Sequence, residues 1–160
     1  MQRRKFLGLG AGILAAAAAA PSMLMAENYR KTLPKVWKIK NNEKSKGEDM
    51  TGVNEAIKGV FGSDKVEEGK ISLKAPAIAE NGAVVPVSFK AEGAKKIALL
   101  QSADPEALVA IFDVPERGIP NYSVRIKMQQ TGHVVVVAEI DGKLYKAEKV
   151  VKVTVGGCGG

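Results

Sequence analysis

From Lys70 to Val155 the apolar positions follow the two-residue period of a pleated strand. Ile71 and Leu73 alternate with Ser72 and Lys74, and Tyr122, Val124, Ile126 and Met128 alternate with Ser123, Arg125 and Lys127. Turn signals separate the runs: Asn81-Gly82 before Val84–Phe89, Glu92-Gly93 before Lys96–Leu100, Gly118-Ile119-Pro120 before Tyr122, and Asp141-Gly142 before the last run from Leu144 to Val155. About seven short strands spaced in this way predict an all-β fold, an antiparallel β-sandwich of immunoglobulin-like type. The cysteine and tryptophan pattern of antibody domains is absent.

Two runs break the alternation. Val134–Ala138 and Leu108–Phe112 are apolar at every position, so each predicts a strand covered on both faces. One cover is the opposite sheet. The other is either a helix of this chain or a partner subunit, and a partner is expected for at least one such face. Upstream the period changes to that of a helix: Val53, Ala56, Ile57, Val60 and Phe61 form one apolar stripe, with Thr51 placed to cap it and Gly62 to end it.

Residues 27–50 carry too few apolar side chains to offset the entropy of ordering. They read as a basic linker with a docked Val36-Trp37-Ile39 cluster. Lys35, Lys38, Lys40, Lys44 and Lys46 form either a basic patch or a solvated tail. The first 26 residues have a basic start, a short apolar run from Leu9 to Ala20 and small residues near Ala26, the features of a secretory signal. Arg3-Arg4 followed by Phe6-Leu7 resembles a twin-arginine export signal. Cleavage is expected near Ala26 and the destination is the periplasm. The domains expected are therefore a signal peptide over 1–26, the linker over 27–50, the sandwich over 51–155 and a terminal arm over 156–160.

Of 160 residues, 24 are Lys or Arg and 17 Asp or Glu, a formal charge of +7. Arg3, Arg4 and Lys5 of that excess belong to the leader, so the remainder is no strong argument for nucleic acid. One His and one Cys cannot furnish a zinc cage of the usual composition. No Gly-x-Ser-x-Gly element accompanies His133 as a catalytic base, and an exposed or turn-satisfied histidine is the reading adopted for it.

Chemistry concentrates in Gly156-Gly157-Cys158-Gly159-Gly160. A single cysteine in an exported chain is either an intermolecular partner or a reactive thiol. The four glycines leave Cys158 on a tether without neighbouring side chains. The tether spans at most about 10 Å from the end of the last strand. Such an arm fits a narrow channel in another protein. Nothing beside Cys158 in sequence lowers its pKa, so activation must come from elsewhere. The alternative is a structural or interaction sandwich cross-linked through its tail cysteine.

The terminal Val153-Thr154-Val155-Gly156-Gly157-Cys158-Gly159-Gly160 and the internal stretch from Ala77 to Val87, together with the leader and the helix, resemble the SoxY family of sulfur carriers in thiosulfate oxidation. The resemblance spans roughly Thr51 to Gly160 and gives no role to residues 27–50. It implies a heterodimer with SoxZ, a second immunoglobulin-like sandwich. It also implies Cys158 as the covalent attachment point for sulfur intermediates, with Gly156, Gly157, Gly159 and Gly160 as the flexible arm. The SoxAX cytochrome would load the thiol, the SoxB hydrolase would release sulfate, and in some organisms the SoxCD sulfane dehydrogenase would oxidise the remaining sulfur. The carrier itself is implied to be non-catalytic and to hold no cofactor.

Overall fold

The structure is a computed structural model, and it describes residues 34–45 and 47–154. Nine strands form two sheets. The larger runs β1 (Val66–Glu68), β9 (Lys143–Val153), β8 (Gly132–Ile140), β5 (Ala94–Gln101), β6 (Leu108–Asp113), with β3 (Ile78–Ala79) also paired to β9. The smaller runs β2 (Ser72–Lys74), β4 (Val85–Lys90), β7 (Asn121–Ile126). All seven expected runs are strands of this two-layer β-sandwich. The Asp141-Gly142 turn joins β8 to β9 with both residues at positive φ, 52° and 74°, the geometry a two-residue hairpin of right-twisted strands requires.

Alternation along β5 separates the two cores, with Ile97 and Leu99 on one face and Ala98 and Leu100 on the other. Val85, Val87 and Phe89 of β4 meet Ile97, Leu99 and Val136 between the sheets. On the other face of the large sheet, Ala98, Leu100, Val135 and Val137 meet Val53, Ala56 and Ile57 of helix α1 (Thr51–Phe61). Strand β8 is apolar from Val134 to Ala138 because it feeds both cores: Val134 and Val136 point to one, Val135 and Val137 to the other, all four fully buried. Each such side chain contributes about 1.5–3 kcal/mol when removed from water. The cover on this second face is therefore this chain's own helix, which corrects the expectation of a partner as far as β8 is concerned. Strand β6 lies at the sheet edge and is only half-buried from Val109 to Phe112.

Helix α1 ends as expected, at Gly62 in the left-handed conformation (φ 74°), whose N–H donates to the Lys58 carbonyl at 2.8 Å. Its start differs. Thr51 is the first helical residue and makes no cap. Asp49 Oδ1 accepts the Thr51 N–H at 2.8 Å instead. An aspartate two residues upstream satisfies the same orphan donor that a capping hydroxyl would.

From Pro34 onward the expected linker is docked structure. Lys35–Lys38 and Glu43–Ser45 form 3-10 turns, and Val36, Trp37 and Ile39 pack against the helix-side core. Asn41 is buried, and its Nδ2 donates to the carbonyls of Gln101 and Asp104, both at 2.8 Å. Its backbone N–H reaches Pro105 O at 2.8 Å, and Ala107 N–H reaches Ile39 O at 3.1 Å. These bonds supply what the composition lacks in apolar area. The remainder of the expected linker, up to residue 33 and at Lys46, and the expected signal peptide lie outside the described residues.

Candidate functional site at the root of the arm

Strand β9 delivers the chain to the glycine-cysteine terminus, and its last described turn of backbone is held from both sides. On one side β3 runs parallel to it, with Ile78 opposite Lys152 and Ala79 opposite Val153. The Lys152 N–H donates to Ala77 O at 3.0 Å and the Thr154 N–H to Ala79 O at 3.1 Å. On the other side the Val153 N–H donates to Thr131 Oγ1 at 3.0 Å. Successive backbone donors of residues 152, 153 and 154 are thus all satisfied, so the chain is fixed as far as Thr154.

Gly82 closes the arrangement. A β-carbon at this position would lie 2.3 Å from Met128 O and 2.9 Å from Val153 Cγ1, and the Met128 N–H donates to Gly82 O at 2.7 Å. The preceding Asn81 turns the chain by accepting the Ala83 N–H on Oδ1 at 2.9 Å. The stretch from Ala77 to Val87 therefore forms a cradle under the end of β9. Two sequence stretches far apart in the chain meet at the place where the arm begins.

Cys158 and Gly156, Gly157, Gly159 and Gly160 lie outside the described residues. Covalent geometry alone lets the four residues beyond Thr154 carry Cys158 at most about 14 Å from that fixed point.

His133 stands on β8 opposite Val150 of β9. Its Nδ1 pairs with Glu148 Oε1 at 2.5 Å, and Lys146 Nζ reaches Glu148 Oε2 at 3.0 Å. Partial burial opposes the charge on the Glu148 carboxylate. The hydrogen bonds from Lys146 and His133 outweigh it and hold the carboxyl below its ordinary range. The His133 backbone N–H donates to Ser102 Oγ at 2.9 Å, and that hydroxyl donates onward to Gly47 O at 2.5 Å. Ser102 is thus committed to backbone groups and the imidazole to a carboxylate. Among the described residues the two form no nucleophile–base pair, and no three His, Cys, Asp or Glu side chains are grouped to hold a metal.

Reading the sequence alone missed Ala79, Gly82 and Thr131 as holders of the arm root. Gly82 carried a signal as half of an Asn-Gly turn, but nothing local shows that Val153 lies against it.

The family model of the sulfur oxidation protein SoxY matches residues 57–158, a region that ends on Cys158. The chain belongs to the SoxY family. Among solved structures, the sulfur carrier protein SoxY from Chlorobium limicola f thiosulfatophilum is 43% identical with a TM-score of 0.59, covering 64% of this chain and 96% of that one. A superoxide reductase (neelaredoxin) from Ignicoccus hospitalis is 15% identical with a TM-score of 0.47, covering 54% of this chain and 81% of that one. No curated protein matches the chain. Membership in the SoxY family and the Chlorobium relative support a sulfur-carrier role, and the docked segment from Pro34 to Lys40 precedes the region that the family model matches.

Proposed function

We propose that this SoxY-family chain carries the intermediates of thiosulfate oxidation as covalent adducts of the Cys158 thiol and presents them to visiting enzymes. The supporting observation is the fixed end of β9. Three consecutive backbone donors are tied down up to Thr154, and the only cysteine follows four residues later among glycines. A rigid root and glycines on both sides of the cysteine offer the thiol with minimal neighbouring bulk, as several different active sites require.

Loading joins the outer sulfur of thiosulfate to Sγ. The thiol loses a proton, and two electrons leave to the cytochrome partner, giving cysteine S-thiosulfonate. Hydrolysis by the second enzyme then adds water across the sulfur–sulfone bond, releasing sulfate and two protons and leaving a persulfide on Cys158. In the SoxAX, SoxB and SoxCD scheme implied by the resemblance, redox centres and the hydrolytic site reside on those partners, and SoxZ completes the carrier as a heterodimer in the periplasm after twin-arginine export. The half-exposed edge strand β6 is one apolar surface available to such a subunit once α1 has covered β8.

Incubation with thiosulfate and the cytochrome partner, followed by intact-mass measurement, tests the proposal. The wild-type chain gains the mass of a thiosulfonate and Cys158→Ser gains none. An adduct on the serine variant overturns the assignment.

A further inference from the structure

One side of the sandwich is open where the edge strands of the two sheets, β6 and β7, run beside each other. Phe112 and Tyr122 join them there with ring centroids 4.5 Å apart. Towards the end of these strands nearer Asp104 the gap widens into a cleft of about 320 Å3, at the lower end of the range for ligand pockets. Gln101 lines it, only 4% exposed, and its Oε1 is buried without a hydrogen-bond partner. Buried polar groups are almost always satisfied, and an orphan costs stability, so this one needs a reason.

The walls narrow the class of occupant. Asp104, Glu106, Arg125 and Lys127 all line the cleft, two charges of each sign. Asp104 Oδ1 already accepts the Gln129 N–H at 2.8 Å, and Glu106 is paired with Lys40 at 3.1 Å. The four charged residues that line the cleft sum to zero and by themselves favour neither an anion nor a cation. A neutral, strongly dipolar group finds both donors and acceptors among these lining side chains. The Gln101 amide complements it, since a half-turn about χ3 exchanges acceptor for donor. We infer that the cleft receives a carboxamide or peptide group inserted by a partner polypeptide, paired with the Gln101 amide.

The location says which partner. Residues 126–131 run from the cleft, which Ile126 and Lys127 line, to the arm root, where Met128 meets Gly82 and Thr131 meets Val153. The cleft and the arm root are thus joined by one short segment. A protein that inserts an amide beside Arg125 stands next to the tether it works on. This identity of the partner rests on the carrier reading; the ligand class does not.

The test uses the full-length 15N-labelled chain and three small probes with one alkyl tail: butyramide, butylammonium and butyrate. Butyramide is expected to shift the Gln101 side-chain and Val109 and Arg125 backbone resonances saturably, with the charged probes about tenfold weaker. Gln101→Leu is expected to abolish the response and to melt at a higher temperature than wild type, because the orphan acceptor is gone. Gln101→Met, close in length, serves if the leucine variant does not fold. The same titration on Cys158→Ser is expected to be unchanged, so a failed carrier reading leaves this result standing. No saturable response to butyramide, an equal response to a charged probe, or an equal response in the Gln101 variants overturns the inference.

Discussion

The hydroxyl of Thr131 accepts the backbone N–H of Val153 at 3.0 Å. A side chain from the loop before β8 thus completes the pairing of the last residue of β9, where β3 binds the residues on either side. The bond ties the last residue of β9 to the loop before β8. Thr131→Val keeps the shape and removes the acceptor. It is expected to cost about 1 kcal/mol and, more tellingly, to speed hydrogen exchange at the Val153 amide while leaving amides in the middle of β8 unaffected. Uniform acceleration across β8 and β9 would show that Thr131 supports the whole hairpin and not its end.

Gly82 is required by space. A β-carbon would press on Met128 O and Val153 Cγ1, and the first of these is backbone that cannot rotate away. Gly82→Ala is expected to destabilise the fold by about 1–3 kcal/mol and to displace the end of β9. Denaturant unfolding measures the first effect, and loading of Cys158 by the partner enzyme, slowed at equal concentration of folded protein, measures the second.

Glu148 links His133 and Lys146. Its carboxyl is held below the ordinary value of 4.5 in the folded chain, so the charged form is favoured by folding. The resulting stability is fully present above the unfolded pKa and is lost as pH falls through the folded one. Glu148→Gln is therefore expected to lower the melting temperature modestly at pH 7 and to narrow the gap to wild type as the pH falls below about 4.5. A gap that stays constant with pH would assign the loss to shape and not to charge.

The glycine tether is tested apart from the fold. Gly157→Val is expected to leave the melting temperature unchanged and to slow both loading and unloading of Cys158, since a branched side chain stiffens the arm and widens it. Equal rates for variant and wild type in a reconstituted pathway would contradict the thin-arm account.

Much of the sandwich was readable from residue order because its strands are half-buried and alternate. Val134–Ala138 announced two covers by having no polar position. The helix that provides one of them was visible in the stripe from Val53 to Phe61. What escaped notice depends on distant partners. Strands β1 and β3 are three and two residues long, too short for any period, and exist because β9 offers an edge to each. The docking of Val36, Trp37 and Ile39 was expected, but the order that continues to Ser45 turns on Asn41, a polar residue whose amide reaches two carbonyls sixty or more positions away. Composition counts such a residue as evidence for a loop. Thr51 reads as a cap in sequence, but Asp49 answers the same need from two residues earlier. The chemistry is proposed from residue order for the opposite reason. A single cysteine between glycine pairs depends on no long-range contact to be conspicuous, whereas the residues that steady its root are ordinary in sequence and recognisable only once β3, Gly82 and Thr131 surround Val153.

The central claim is that Cys158 is the atom-level site of sulfur attachment. Mass analysis of the C-terminal peptide from protein purified out of its native host, grown on thiosulfate, tests it most directly. The account predicts that this peptide carries added sulfur, sulfite or thiosulfate, removable by thiol reductant. A terminal peptide found only as free thiol or as a disulfide to another chain, with no sulfur adduct under any growth condition, would contradict it.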